Sequence, residues 1–340
     1  VYFYSQQYNL RGEKKTRLGF IALLGLDDKN TSVFGHEHTR LEPKEDRSRL
    51  IRQVKASLSP IFVIFSDQKR IIQRTYHQYI ADKQPFMNIT DEEKTNHKLW
   101  KLSDRSFLES FHESMRQTNI FIADGHHRYE VACAYRKQMK KRLRAARKDY
   151  GFNYILAYFT NVESRNLTIL PIHRLVKLGP RFDSVSFEEK LKTCFDLEEV
   201  KDRTRFFFLL EKGGRTEHVL GMYKDKRYLL LRLKNIKILD TIATDKPKDY
   251  VSLDISILNY LVLENTLGLD IEDKTNIKFN PSSDELIRAA DNDHSLIVFF
   301  LNPVKVEQLT NIALTGEKMP SKSTYFYPKV LSGLVINKHE

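Results

Sequence analysis

Apolar positions come along this chain in short blocks separated by charged stretches. The longest blocks, Ile61 to Phe65 and Leu296 to Leu301, are strand-length. No run approaches the roughly 18 to 20 apolar residues that a spanning helix needs. Leu18 to Leu26 reads as a buried strand. Asp46 to Leu58 places Leu50, Val54 and Leu58 four residues apart, a helical stripe that Pro60 stops. Residues 68 to 96 are weakly patterned and read as helix and surface loop. Ser103 is positioned to cap a helix bearing Phe107, Phe111 and Met115 on one face. Asn119 to Ala123 is a short apolar strand that runs straight into Asp124-Gly125-His126-His127-Arg128 and a helical sequence. A strand, a glycine turn and a helix N-terminus are therefore expected together.

Further strands are expected at Asn153 to Thr160 and Leu167 to Leu170. Residues 180 to 250 read as a separate α+β unit, with a helix near Phe187 and strands around Phe206, Val219 and Tyr228. Gly213-Gly214 is the expected hairpin turn. Asp254 is placed to cap a helix from Ile255 to Leu267 that Gly268 ends. A helix from Asp284, the Leu296 strand and a helix from Val304 to Thr315 complete the pattern. The fold class expected is α+β (mixed α/β), in two domains, 1–177 and 178–340, with the C-terminal motif returning to a shared cleft. There is no internal repeat. The opening Val1-Tyr-Phe-Tyr, without an initiator Met, reads as a strand in progress, so a segment upstream is expected.

Composition adds little to the fold and more to the partners. Of 340 residues, 41% are hydrophobic and 29% charged, ordinary for a globular chain. Two distant cysteines, Cys133 and Cys194, exclude a disulfide framework or cysteine zinc cluster and fit a cytoplasmic protein. The formal charge of +12 favours anionic partners: polyanions or phosphorylated small molecules. The basic run Lys137, Lys140, Lys141, Arg142, Arg144, Arg147 and Lys148 is the best case for nucleic acid. Its charges fall on nearly every helical face, however, and no nucleic-acid motif accompanies it. No membrane partner is expected, and the oligomeric state is open.

The residues at 124–128 carry the clearest chemistry. A helix N-terminus offers free amides and a positive dipole to an anion, and Gly125 lets the backbone approach a ligand. His126, His127 and Arg128 add donors, and Asp124 could hold Mg²⁺ or orient a hydroxyl. A charged turn in which Asp124 caps the helix would use the same residues. Pro320-Ser-Lys-Ser-Thr324 could cradle phosphate, although it lacks P-loop glycines and equally reads as a solvated loop. Within His36-Glu37-His38-Thr39, Glu37 is a candidate base, against a polar surface turn. Arg47 stands at a helix start. His173 and Arg174 end a strand, where ligands of α/β folds gather.

The box Ile120-Phe-Ile-Ala-Asp-Gly-His-His-Arg-Tyr-Glu130 resembles the phosphate-binding box of the ParB/sulfiredoxin superfamily. More closely, the chain resembles a family of bacterial and protist proteins catalogued as a domain of unknown function and labelled ParB-like. The matching segments are Arg17-Leu-Gly-Phe20, His36-Glu-His-Thr39, Asp46-Arg47, Ser59-Pro-Ile-Phe62, Ile169-Leu-Pro-Ile-His-Arg174, Leu253-Asp-Ile-Ser256 and Gly316-Glu-Lys-Met-Pro-Ser-Lys-Ser-Thr-Tyr-Phe-Tyr-Pro-Lys329. The resemblance implies a ParB/sulfiredoxin-like core in the first domain. It implies an Mg²⁺-dependent kinase that phosphorylates free L-serine to O-phospho-L-serine from pyrophosphate, ADP or ATP.

On that reading Glu37, Asp124 and His127 are catalytic, with Asp124 also the metal ligand. Arg47, Gly125, His126, Arg128, Arg174, Lys322, Ser323 and Thr324 hold the donor phosphate, and His36 and His173 bind the substrate. The absence of a nucleotide-sized glycine loop tilts the donor toward pyrophosphate. The alternatives are a ParB-like nucleotide-dependent nucleic-acid-binding protein and a phosphoserine-directed hydrolase.

Overall fold

The computed structural model describes residues 1–26, 32–39, 41–143, 150–242, 244–271 and 275–339. Two compact units result. The first comprises Val1–Thr168, Ala313–Lys318 and Phe326–Glu340; the second comprises Ile169–Ile312 and Met319–Tyr325. The mixed α+β class matches expectation. The boundary falls at Thr168, nine residues before 177, and the C-terminal stretch rejoins the first unit instead of belonging wholly to the second.

The first unit is built on strands β1 (Tyr2–Leu10), β2 (Glu13–Gly25), β3 (Val33–Gly35), β4 (Ala56–Ser57), β5 (Ile61–Phe65), β6 (Met87–Thr90), β7 (Asn96–Lys101), β8 (Ile120–Asp124) and β9 (Tyr154–Asn161). All but β4 form one mixed eight-stranded sheet in the order β3-β8-β5-β9-β2-β1-β7-β6. The β3–β8 and β5–β9 pairs are parallel; the others are antiparallel. Every residue of β5 is buried, which is why it reads as a continuous apolar run and not an alternating one. Phe3, Phe20, Ile61, Val63, Phe65, Ile122 and Ala157 form the core beneath it.

Helix α1 (Leu41–Val54) begins five residues earlier than its apolar stripe predicts and has no buried residue; Leu50 and Val54 are exposed. The stripe misleads because α1 packs chiefly against helix α4 (His126–Arg142) and buries none of its apolar residues. It ends at Val54, where Lys55 takes a left-handed φ of 49° and the chain enters β4. Residues 68–96 hold the short α2 (Ile71–Thr75), a wide turn at Tyr76–Ile80 and β6. Helix α3 (Arg105–Met115) is capped by Asp104, not Ser103: the Asp104 carboxylate accepts the Phe107 amide at 2.8 Å. Lys137, Lys140, Lys141 and Arg142 lie on α4, whereas Arg144, Arg147 and Lys148 lie outside the described residues.

After β10 (Thr168–Leu170), the second unit places β11 (His173–Lys177), β12 (Phe195–Glu199), β13 (Val219–Lys224), β14 (Arg227–Leu233), β15 (Ile277–Asn280) and β16 (Leu296–Phe300) in one sheet, ordered β12-β14-β13-β16-β11-β15. All its pairs are antiparallel. Helix α5 (Ser184–Cys194) carries Phe187 as expected. Phe206, read as strand, lies in helix α6 (Arg203–Gly213). Asp202 caps this helix, and Phe206 and Leu210 face the core one turn apart. The hairpin turn is accordingly not Gly213-Gly214 but Asp225-Lys226, both at positive φ (47° and 63°), as a two-residue turn requires. Beyond α7 (Lys248–Val251), α8 (Asp254–Ile257) widens into a π-helical stretch to Glu264. Helices α9 (Ser283–Asn292) and α10 (Val306–Leu314) follow; Tyr325–Tyr327 is β17, and β18 (Asn337–Lys338) pairs with β4. Among the described residues no helix is long and apolar enough to cross a membrane.

Candidate functional site

Strand β8 ends at the partly buried Asp124, and Gly125 turns the chain into α4 at φ 96°. That angle suits glycine, and space demands it as well. A Cβ there would stand 2.8 Å from a guanidinium nitrogen of Arg128 and 2.9 Å from Ile61 Cγ2. The first-turn amides of α4, residues 126–128, have no acceptor inside the helix, and the dipole's positive end lies with them.

Two cations hold Asp124. Lys329 Nζ approaches one carboxylate oxygen at 2.7 Å and Arg128 the other at 2.9 Å, while Arg128 also donates to the Pro60 carbonyl at 2.5 Å. Burial opposes the charge on Asp124, but the Lys329 ammonium and then Arg128 outweigh it and hold the carboxyl below its ordinary range. Lys329 is itself set by a buried pair. Gln6 donates to the Lys329 carbonyl at 2.9 Å, and Arg17, fully buried over the Phe62 ring, donates to the carbonyls of Tyr327 and Pro328 at 3.1 and 2.6 Å.

A histidine–carboxylate group adjoins this cluster. The His36 amide donates to His126 Nε2 at 3.2 Å. An amide can only donate, so Nε2 is the acceptor and the ring proton of neutral His126 sits on Nδ1. Nδ1 lies 3.4 Å from Glu37 Oε2, and Glu37 is partly open to solvent. The His36 ring meets His126 edge-on with centroids 4.6 Å apart. Burial, and then the neighbouring His126, push the His36 imidazole down to about 3, so it is neutral. Burial also lowers His127, against the pull of Glu37 and Glu130. Lys318 donates to the Gly35 carbonyl, and its ammonium is lowered by burial. Glu130, on α4, accepts from Thr39 at 2.7 Å and pairs with Lys44 at 2.5 Å.

The first unit therefore gathers His36, Glu37, Asp124, Gly125, His126, His127 and Arg128. Arg47 on α1 is exposed; burial lowers the Arg128 pKa, and the nearby Arg47 charge adds to that against the pull of Asp124. His173, Arg174, Lys322, Ser323 and Thr324 belong to the second unit. There Arg174 is buried and spends its guanidinium on the carbonyls of Ile172 and Lys322, with burial pushing it down to about 9. His173 Nδ1 accepts the Leu301 amide at 3.2 Å, and Ser323 donates to Pro320.

Sequence reasoning overlooked Lys318, Lys329, Arg17 and Gln6 as site residues. The signal available was that Arg17 and both lysines lie in segments already singled out. For Mg²⁺, the residues present do not fit a protein-held ion. Both oxygens of Asp124 are engaged by cations, and among the described residues no group of three or more His, Cys, Asp or Glu is placed to hold a metal.

Solved structures resemble the chain only distantly. A free serine kinase in complex with AMP shares 12% identity, covering 90% of this chain and 86% of that one, at a TM-score of 0.41. SbnI with C-terminal truncation from Staphylococcus aureus shares 11%, covering 93% and 87%, at 0.44. A conserved hypothetical protein from Pyrococcus furiosus shares 11%, covering 92% and 93%, at 0.39. Likeness this faint carries no chemistry with it. No curated protein matches the chain. A family match does span residues 1–256, three quarters of the sequence, and by it the chain belongs to DUF1015, described as a protein of unknown function.

Proposed function

We propose that this protein is a small-molecule phosphotransferase that moves a phosphoryl group onto the hydroxyl of free L-serine, from pyrophosphate or a nucleotide. One observation carries the reading. The helix N-terminus after Gly125 is ringed by Arg128, Lys329 and Lys318, beside a solvent-reachable Glu37 held at His126. Phosphoryl transfer demands positioning and charge neutralisation more than covalent help. Amides 126–128 and the cations neutralise donor oxygens. Glu37 takes the hydroxyl proton as the serine oxygen bonds to phosphorus and the bond from phosphorus to the donor's bridging oxygen breaks, its electrons leaving with the departing phosphate. Asp124 keeps Lys329 and Arg128 poised, which makes it a positioning residue here.

The test is incubation of pure protein with L-serine and pyrophosphate, ADP or ATP in turn, with Mg²⁺ present, and detection of phosphoserine by phosphorus NMR. Phosphoserine is expected with at least one donor. Lys329→Ala should lower kcat/KM by about 30- to 1,000-fold, the scale of about 2–4 kcal/mol for one lost donor. No phosphoserine with any donor, or a folded Lys329→Ala protein as active as wild type, sinks the reading. Release of phosphate from phosphoserine alone would assign the same residues to hydrolysis.

A further inference from the structure

We infer that the second unit has its own binding site for a small hydroxylated carboxylate of amino-acid size, with His218 as its hydroxyl acceptor. A cavity of about 310 Å³ lies wholly within that unit, a size suited to a small molecule. Ile172, Ile236, Leu253 and Leu301 give it an apolar wall. Polar side chains line it as well, among them His218, Asn302, Lys305 and Gln308.

His218 is held for a purpose other than packing. Its Nδ1 lies 3.0 Å from Asp254 Oδ1, and both side chains are largely but not wholly buried. A carboxylate at Nδ1 fixes the proton there and leaves Nε2 as an acceptor, the arrangement by which carboxylate–histidine pairs present a basic nitrogen to a ligand. Nε2 has no hydrogen-bond partner among the described residues. Among the described residues, other side chains of the lining are likewise only part-used. Lys305 Nζ donates once, to the Arg215 carbonyl at 3.2 Å, and keeps two further protons. Gln308 uses its oxygen on the Lys305 amide at 3.0 Å, leaving its NH₂. Asn302 spends its NH₂ on the Val219 carbonyl at 3.2 Å, leaving its oxygen.

The unspent groups select the ligand. An ammonium and an amide NH₂ suit a carboxylate, while an imidazole nitrogen and an amide oxygen accept from a hydroxyl or ammonium. The apolar wall and the volume favour a ligand of a few heavy atoms. A doubly charged phosphate group fits less well than a singly charged carboxylate, because Asp254 and Glu217 line the same cavity and the exposed Arg215 already pairs with Glu211. This inference stands on the cavity alone and does not need the first unit to be a phosphotransferase.

L-serine would also visit the first unit under the function proposed above, so the readout must be local. The imidazole resonances of His218, assigned by their loss in His218→Gln, are followed by NMR with no phosphoryl donor present. D-glycerate, L-serine and L-alanine are titrated separately. The expected result is a saturable shift with D-glycerate or L-serine, at least tenfold weaker with L-alanine, which lacks the hydroxyl. Lys305→Met should weaken the shift tenfold or more while leaving thermal unfolding unchanged; Arg128→Ala should leave it intact. No saturable shift up to about 10 mM of either hydroxylated probe, an equal response to L-alanine, or a response lost in Arg128→Ala overturns the inference. Failure of serine phosphorylation would leave these results untouched.

Discussion

A histidine that faces another histidine in a dry site has one comfortable state. His36 is buried, and with a second imidazole 4.6 Å away its protonation would add unsolvated charge beside a potential cation. Its folded-state value of about 3 stands well below the ordinary 6.5. Between those values the unfolded chain binds a proton that the folded one does not, so stability rises with pH across this window and is lost as pH falls from 6.5 toward 3. Wild type should lose on the order of 1–2 kcal/mol more than His36→Gln between pH 7 and pH 5, measured as urea midpoints at the two pH values. Equal losses would show that His36 is not held neutral. Local chemistry made Glu37, Asp124 and Arg128 visible as single residues. It could not show that Asp124 meets Lys329, because 205 residues separate them.

The junction of β8 and α4 is the element on which the site depends, and it was the most legible part of the chain. A fully buried strand, a glycine and a helical sequence leave only one geometry at Gly125. Gly125→Ala should cost about 2 kcal/mol: roughly 1–2 for the left-handed backbone, and more as Arg128 gives way to the new Cβ. The denaturant midpoint checks this, and a variant of unchanged stability would mean the turn is looser than drawn. Elsewhere the elements misled for identifiable reasons. The stripe of α1 stays exposed although the helix packs against α4, and the aromatic density around Phe206 resembles a strand until the Asp202 cap is weighed. Gly213-Gly214 attracted a turn assignment, whereas Asp225-Lys226 adopts the positive angles without any glycine.

At the scale of the molecule, two separate cores make a clear expectation. Phe206 is fully buried among Leu210, Val219, Leu230 and Phe300 of the second unit. Phe206→Ala should cost about 3–5 kcal/mol. Hydrogen exchange should show lost protection in β13, β14 and β16 while β1 and β2 keep theirs. Equal loss in both sheets would mean the units unfold together. The amino-acid order by itself determined the α+β class, the buried strands and the helix N-terminus after Gly125, because these follow from periodicity, glycine and short-range capping. Only the tertiary structure decided that residues 326–340 return to the first unit, that Arg17 and Gln6 carry Lys329 to Asp124, and that Arg174 is spent on backbone carbonyls. Those outcomes depend on which distant groups become neighbours once apolar surface is buried, and spacing along a chain holds no record of that.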